Sequence, residues 1–344
     1  MELLKQNVGV DISKDSFVAT FAILLQGQVI KNKRTRKFNN TVKGIKEFTD
    51  WINKLKDPSS DLHVTMEATG IYYEELAYTL YEQERIIVHV LLPNMAKKYF
   101  ESLNIKIKTD KVDSKVLGQM GLERMLKPWV LSSKIYRKLR TLSREKGQMI
   151  RERTIIKNQL HAETHTAEPL KRTITRYKNR IKYLDKQIKS VEQDIEKIVE
   201  KDDFVSSKIN KIKTIPGINV ATIVGVVAET GGFVNIKSIN QLTSYSGFDV
   251  RIRESGKWKG RSTISKKGNS HIRRLMYMPT LSSLQYAKTY KTTYNRIKEH
   301  KEHNMVAVVA IQRKLLGLIY TLWKNDSIYI EDYQKTKITE ENIR

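Results

Sequence analysis

The fold is decided by VGVDISKDSF, residues 8–17, where one apolar run leads into Asp11 and a second begins almost at once. A later apolar run, HVTME, ends in Glu67, and strand-like and helix-like patterns alternate around it. Hairpin-like strands followed by alternating helices and strands are typical of an α/β fold with a mixed sheet. We therefore predict an α/β domain over residues 1–128.

Four carboxylates in this region have the chemistry of a metal site. Asp11 and Glu67 end strand-like runs, and Asp110 and Asp113 stand three residues apart in TDKVDSK, on one face of any helix there. Oxygen ligands suit Mg²⁺, and two such ions about 4 Å apart support phosphoryl transfer. The alternatives are structural: Asp11 caps a turn, Asp110 is the N-cap of a helix beginning at Lys111, and Asp113 interacts with the helix dipole.

Composition limits the class of protein. The 344 residues exceed one ordinary core, so two or three domains are expected. Lys and Arg number 63 against 37 acids, a net charge of +26, which indicates a polyanionic partner, above all nucleic acid. The absence of cysteine excludes disulfides and thiolate chemistry and suits the cytoplasm. Gln312, Arg313 and Lys314 interrupt the most apolar stretch, residues 305–323, so we expect no membrane partner.

Residues 129–205 are long, polar and helix-forming. A three-four spacing of apolar residues predicts a coiled coil, carried by Ile174, Tyr177, Ile181, Leu184, Ile188, Val191, Ile195 and Ile198. An earlier helix from about Lys134 to His161 is separated from this stripe by Pro169. A helical hairpin and an intersubunit coiled coil both satisfy the pattern, and we expect a homo-oligomer, a dimer or tetramer.

Residues 206–325 form the predicted C-terminal domain, which is mainly α-helical. It opens on KTIPGINVATIVGVVAE, a Pro-Gly turn before a small-residue helix, as in helix-hairpin-helix elements whose turn amides bind a phosphate. Helices from Ser270 to about Tyr286 and from Met305 to Trp323 supply its core. Residues 326–344 are predicted to be a polar, loosely held tail.

A basic segment from Arg251 to Arg274 carries nine Lys or Arg and a single acid, Glu254. Such a segment neutralises phosphates, and no helix-turn-helix or zinc pattern is apparent in the sequence. The predicted nucleic-acid-binding residues are Arg251, Arg253, Lys257, Lys259, Arg261, Lys266, Lys267 and Arg273.

Ser255 lies inside this basic segment, with Gly256 behind it. A serine hydroxyl is a weak nucleophile unless it is activated and the charge on its target is stabilised. Other serines are rivals: Ser244, Ser246, Ser262, Ser265 and Ser270. From the residues alone, serines beside glycine in a basic loop more often form turns or bind phosphates.

Several segments together resemble the DEDD-type insertion-sequence transposases, whose N-terminal domain is like the Holliday-junction resolvase RuvC. They are VGVDISKDSF, VTMEATGIYYEEL, KTDKVDSKVLGQM, IPGI, YSGFDVRIRESGKWKGR and ISKKGNSHIRRLMY, in order along nearly the whole chain. The resemblance implies an RNase H-like fold for the first domain. It also implies that the family's four metal-binding acids, for Mg²⁺ or Mn²⁺, are Asp11, Glu67, Asp110 and Asp113.

The resemblance gives Ser255 a catalytic role, because the family's C-terminal domain carries a serine in a Ser-Gly pair that becomes joined to DNA. Ser255–Gly256 aligns with that pair, although residues 247–250, GFDV, lack the proline usual in the family. Ser255 would attack the phosphorus, and the metal ions would activate it and stabilise the leaving 3′ oxygen. The family also implies a structured guide RNA that pairs with donor and target DNA, and an active site shared between subunits.

We therefore predict a metal-dependent DNA recombinase that moves an insertion sequence through a serine-DNA covalent intermediate. A RuvC-like junction nuclease that uses water as nucleophile is the nearest alternative. A non-catalytic RNA- or DNA-binding protein, in which the acids are helix caps, is the alternative from another class.

Overall fold

A computed structural model of the chain describes residues 2–260, 262–301 and 303–331. The polypeptide forms two compact units that divide between Leu131 and Ser132. The helical hairpin and the C-terminal helices belong to the second unit and share its core.

The first unit contains a five-stranded mixed sheet. Its strands are β1 (Leu3–Ile12), β2 (Ser16–Leu25), β3 (Val29–Asn39), β4 (Leu62–Glu67) and β5 (Ile86–Leu91), in the order β3-β2-β1-β4-β5. The first three pair antiparallel, and β4 and β5 run parallel to β1. The predicted α/β class is confirmed, and the mixed sheet is consistent with an RNase H-like fold.

Four helices complete this unit: α1 (Val42–Leu55), α2 (Glu74–Tyr81), α3 (Pro93–Ser102) and α4 (Asp110–Glu123). Side chains of a strand alternate between faces, so Val8 and Val10 of β1 enter a core with α1 and α2. Phe48 and Trp51 of α1 pack edge-on and tilted against Phe38 in that core. The opposite face of the sheet is left for α4.

Strand β3 is absent from the sequence-based prediction. Its sequence, VIKNKRTRKFN, is dominated by cations, and most of its side chains are exposed. It lies at the edge of the sheet, where charged residues discourage pairing with another chain. An edge strand needs little apolar sequence, so the apolar-run criterion misses it.

The second unit is mainly helical, as predicted. Its helices are α5 (Lys134–Thr164), α6 (Lys171–Glu200), α7 (Asp203–Ile212), α8 (Val220–Thr230), α9 (Ile239–Tyr245), α10 (Ser270–Leu275), α11 (Tyr277–Tyr286), α12 (Lys288–Glu299) and α13 (Asn304–Asn325). Four two-residue strands lie between α9 and α10: β6 (Val250–Arg251), β7 (Glu254–Ser255), β8 (Trp258–Lys259) and β9 (Thr263–Ile264). Helix α8 is buried from Thr222 to its end, which places it at the centre of the unit.

The apolar stripe of α6 packs against α5 of the same chain. Leu184, Ile188 and Val191 are buried, whereas the earlier stripe residues are only half-buried. Ion pairs flank the stripe, Lys146 with Glu192 at 2.7 Å and Arg153 with Asp185 at 2.6 Å. The structure therefore shows the hairpin alternative, and association between subunits remains a prediction.

The helix predicted from Ser270 to about Tyr286 is two helices that meet at Met276. Pro279 lacks an N–H and fits the first turn of a helix, so it favours a new start at Tyr277. Helix α12 is not in the prediction, because its polar sequence KTYKTTYNRIKE buries only Tyr290.

Within the described ranges, α13 is the one helix long and apolar enough to cross a membrane, and half of its most apolar window is buried. Ile311, Leu315 and Ile319 lie fully buried in the core of the second unit. Asp326, at the start of the predicted loose tail, pairs with Lys211 at 2.6 Å, so the tail is held there. Residues 332–344 of the tail lie outside the described residues.

Candidate active site

Asp11 and Glu67 lie side by side because β1 and β4 are neighbouring parallel strands. Val10 pairs in register with Met66, so Asp11 and Glu67 occupy the next position of the same register. Since Val10 faces the core with α1 and α2, alternation turns Asp11 to the other face of the sheet. Both carboxylates are half-buried and lie at the carboxyl ends of these two inner strands.

Helix α4 packs on that face closely enough to bring its acids to Asp11. Gly9, two residues before Asp11, has no side chain, and a β carbon there would meet the Ser114 carbonyl oxygen at 2.0 Å. Asn7 fixes the same contact by donating from Nδ2 to the Gly118 carbonyl at 2.8 Å. The first turn of α4 is thereby held beside the end of β1.

Asp110 and Asp113 occupy that first turn. The N-cap of α4 is Thr109, whose hydroxyl oxygen accepts a hydrogen bond from the Val112 N–H at 3.3 Å. The alternative that Asp110 caps a helix beginning at Lys111 is therefore wrong. With a separate residue as cap, the two carboxylates are available on one face of the helix.

The four acids lie within electrostatic reach of one another. The pKa of Asp11 is raised to about 6, mainly by burial and then by Asp113, Asp110 and Glu67 in that order. Burial is also the main cause of the raised pKa values of Glu67 and Asp113. The ammonium of Lys108 opposes the rise at all three sites. The site is therefore a patch of concentrated negative charge.

A divalent cation fits the donor chemistry of this patch. Asp113 Oδ1 is buried with no hydrogen-bond partner in the described part of the chain, and such an orphaned oxygen is rare unless an ion or water completes it. Among the described residues, however, no three acidic or histidine side chains are already close enough to form a metal cluster. The acids therefore share an electrostatic patch without forming a preassembled metal cluster among the described residues.

Ser255 stands in a short hairpin of the second unit. It pairs with Trp258 between β7 and β8, and Gly256 in the turn has φ +57, which only glycine adopts readily. The Ser255 side chain is exposed. The hairpin thus presents the hydroxyl to solvent.

Two rival serines are less available. Ser246 is fully buried, and its hydroxyl has no partner among the described residues. The Ser265 hydroxyl donates to Asp249 Oδ1 at 2.7 Å and holds the loop after β9. The remaining rivals are exposed like Ser255, and they are Ser244, Ser262 and Ser270.

The described side chains of the predicted basic residues divide into exposed residues and one that holds a loop. Five are exposed around the short strands, and they are Arg251, Arg253, Lys257, Lys266 and Lys267. Arg273 is half-buried and donates from Nη1 to the Ser246 and Gly268 carbonyls at 2.8 and 3.2 Å, so it holds the loop. Arg261 and the side chain of Lys259 lie outside the described residues.

The predicted helix-hairpin-helix position holds α7 and α8 joined by a tight turn. Gly217 in that turn has φ +83, and Ser283 of α11 donates to the Pro216 carbonyl at 2.7 Å. Phosphate binding by this turn remains a prediction.

Sequence reasoning missed Gly9 and Lys108. A glycine inside a strand signals close backbone approach, so Gly9 had a readable signal. Lys108 is one of many lysines, and nothing in the sequence distinguishes it.

Two transposase family models match successive parts of the chain. The DEDD-type IS110 transposase model matches residues 8–169, which include the four acids. The transposase model of the IS116/IS110/IS902 family matches residues 209–295, which include Ser255.

Two relatives match nearly the whole chain, and a third matches part of it. The pilin gene-inverting proteins of Moraxella bovis and Moraxella lacunata are each 27% identical over 325 residues, 92% of this chain and 95% of theirs. The uncharacterized 42 kDa protein of insertion element IS900 from Mycobacterium paratuberculosis is 24% identical over 119 residues, 34% of this chain and 30% of its own. Because the two family matches together cover well over half of the 344 residues, the chain belongs to the IS110 family of transposases, which are DNA recombination enzymes.

Proposed function

We propose that this transposase cuts and rejoins DNA through a covalent Ser255–DNA intermediate, with a divalent metal ion held by Asp11, Glu67, Asp110 and Asp113. The observation that carries the proposal is the convergence of four acids from distant segments at the carboxyl ends of β1 and β4. An isolated group of acids raises the pKa of its own members and destabilises the metal-free protein, so its presence favours a functional role.

The acids supply oxygen ligands suited to Mg²⁺ or Mn²⁺. When bound, such an ion neutralises charge and polarises a phosphodiester. Asp113 contributes a buried oxygen that no donor within residues 2–260, 262–301 and 303–331 satisfies. Lys108 adds a positive charge that lowers the pKa values of Asp11, Glu67 and Asp113 and so favours their ionised forms.

The serine step conserves the phosphodiester energy. The Ser255 oxygen bonds to phosphorus, the bond from phosphorus to the 3′ oxygen breaks, and the serine proton leaves as the 3′ oxygen gains one. The 3′ hydroxyl of a second strand then attacks the phosphorus of the serine ester, the bond from phosphorus to the serine oxygen breaks, and Ser255 regains a proton as the new strand is joined. The exposed cations near Ser255 neutralise the phosphate that it approaches.

The wider basic surface fits DNA, the partner that the family implies. Guidance by an element-encoded RNA rests on the resemblance to guided members of the family, and the net charge of +26 is compatible with both nucleic acids. The names of the pilin gene-inverting relatives point to inversion as one outcome of the same chemistry. We place the protein in the cytoplasm, where its DNA is found.

Strand exchange in Mg²⁺ tests the proposal. Asp113→Asn should abolish exchange and leave DNA affinity nearly unchanged, because removing an anion does not weaken binding to a polyanion. The matched control is Asp15→Asn, an exposed acid close to Asp11 in sequence, which should exchange like wild type. Equal exchange by Asp113→Asn and wild type would reject the four-acid site, whereas no exchange by wild type would favour a non-catalytic DNA-binding protein.

Mixing variants tests whether the acids and the serine are shared between subunits. Asp11→Asn and Ser255→Ala should each be inactive alone and should recover part of the wild-type exchange when mixed. If the mixture stays inactive although both variants assemble, one subunit must supply all of these groups.

A further inference from the structure

A cluster of basic side chains lies where α5 and α10 meet over α8. It consists of Arg144 and Arg151 from α5 and of His271 and Arg274 from α10, and we call it the α5–α10 cluster. Arg144 and Arg151 are seven residues apart, so they lie on one face of α5. Arg274 and His271 are three apart and share a face of α10.

Glycine at position 225 lets both helices sit directly on α8. A β carbon on Gly225 would meet Leu275 Cδ1 of α10 at 2.6 Å and Ser143 Oγ of α5 at 2.9 Å. The two helices therefore converge on the same turn of α8. Their neighbouring residues, Arg144 and Arg274, are carried to the same region of the surface.

A buried carboxylate fixes the inner end of the cluster. Glu229 of α8 accepts from Arg144 Nε at 2.7 Å and from Arg144 Nη2 at 2.8 Å, a two-point fork. Asn269 donates to the same carboxylate at 2.7 Å. The Glu229 side chain is only 1% exposed, whereas that of Arg144 is 47% exposed. Glu229 thus orients Arg144 while the guanidinium remains at the surface.

The cluster carries more positive charge than Glu229 balances. Burial is the main cause of the lowered pKa of His271, and Arg144, Arg274 and Arg151 lower it further, against the opposing effect of Glu229. Arg151 and Arg274 are exposed. Like charges gathered at a surface repel, and a polyanion laid across them would relieve that repulsion.

We propose that the α5–α10 cluster binds the phosphate backbone of duplex DNA and extends the DNA interface from the serine-bearing segment onto the helical hairpin. Seven helical residues rise about 10 Å, so Arg144 and Arg151 can contact different phosphates. Arginine forks match phosphate oxygens, which favours contact with the DNA backbone. This inference rests on the proposed DNA recombinase function.

Salt-dependent DNA binding by the full chain tests the proposal. Three proteins are compared: wild type, the double variant Arg151→Gln with Arg274→Gln, and the control Lys178→Gln. Lys178 is an exposed cation of the same hairpin. Each phosphate contact adds about 0.9 to the slope of log affinity against log salt. The double variant should therefore lose about 2 from the slope. The ratio of its Kd to the wild-type Kd should then be about tenfold larger at 50 mM than at 200 mM salt. The control should match wild type.

The measurement separates this proposal from the catalytic one, because binding is measured without Mg²⁺ and without cleavage. A double variant that is folded by circular dichroism and keeps the wild-type slope on duplex DNA overturns the cluster as a DNA surface. A loss confined to the element-end RNA, with DNA unchanged, overturns it as well. Failure of wild type to exchange strands would reject the proposed function and leave the slope comparison valid.

Discussion

Gly9 of β1 lies against the Ser114 carbonyl of α4, and a β carbon on Gly9 would come 2.0 Å from that oxygen. Gly9→Ala must therefore push α4 away from the sheet and move Asp113 away from Asp11. We expect a loss of about 3 kcal/mol or more in the free energy of unfolding and no detectable strand cleavage. Thermal unfolding and a cleavage assay at low temperature measure both effects.

Gly118→Ala is the matched control from the other side of the same contact. The nearest atom to its β carbon, the Gly9 nitrogen, is 3.5 Å away, which is ordinary contact. Alanine in a helix interior is also more favourable than glycine. This variant should be as stable as wild type and active, and loss of cleavage in it but not in Gly9→Ala would contradict the packing argument.

Asp11→Asn should stabilise the metal-free protein while abolishing activity. The folded pKa of Asp11 is raised to about 6 from an ordinary 3.8, so its ionised form destabilises the fold at pH 7. Asparagine removes that charge, and we expect a gain of about 1–2 kcal/mol in EDTA, after discounting for partial exposure. Mg²⁺ should then raise the Tm less than in wild type. A lower Tm in EDTA, or an equal Mg²⁺ shift, would count against the acidic site.

A histidine pair should make the first unit acid-sensitive. His89 Nδ1 lies 3.0 Å from the Lys127 carbonyl and so donates to it, which leaves His89 Nε2 to accept from His63 Nδ1 at 2.8 Å. Burial lowers the pKa of both, that of His63 to about 4 from 6.5. A base with a lowered folded pKa stabilises the fold above its unfolded pKa, and this stability is lost as the pH falls from about 6.5 to 4.

After discounting for the partial exposure of His63, we expect the unfolding free energy to fall by about 1–3 kcal/mol across that window. The raised pKa of Asp11 acts in the opposite direction over part of it, and equally in any histidine variant. His63→Asn should therefore flatten the fall, as measured by urea unfolding at several pH values. An identical profile in the variant would show that the pair does not control acid stability.

The hairpin stripe should stabilise the single chain. Ile188 is 7% exposed between α6 and α5, so Ile188→Asp buries a charge and should cost about 3 kcal/mol or more. Ser190→Asp, exposed on the same helix, should cost little. Chemical unfolding tests this, with the molar mass in solution measured at each denaturant concentration. A variant with unchanged stability but reduced subunit number would favour the intersubunit coiled coil instead.

Much of the first unit was predictable because its apolar runs are clear. VGVD and HVTME mark β1 and β4, and their terminal acids were correctly expected at strand ends. What the runs do not contain is the register of β1 with β4 or the seating of α4 on Gly9, which depend on contacts between distant residues. The alternative that Asp110 caps α4 was wrong for a local reason, since Thr109 and Asp110 are both good caps.

The second unit was harder to predict. The spacing of apolar residues from Ile174 to Ile198 fits a partner in the same chain as well as one in another subunit, and only the structure shows α5 against it. Glu229 looks like an ordinary helix residue in VATIVGVVAET, and its fork with Arg144, 85 positions away, has no sequence signature. Buried ion pairs between distant residues are invisible to periodicity.

The hydroxyl oxygen of Ser255 is the proposed nucleophile. Wild-type protein, incubated with its element-end RNA, labelled DNA and Mg²⁺, should yield a protein-linked DNA band under denaturing conditions, with the label on the peptide that contains Ser255. Ser255→Ala should bind both nucleic acids and form no such band, because alanine removes only the attacking oxygen. Ser262→Ala, an exposed serine nearby, and Ser246→Ala, a buried one, should each form it. A band that persists in Ser255→Ala and disappears in one of those controls would contradict the account, and strand cleavage by wild type without any protein-linked DNA would replace it with a water-dependent nuclease.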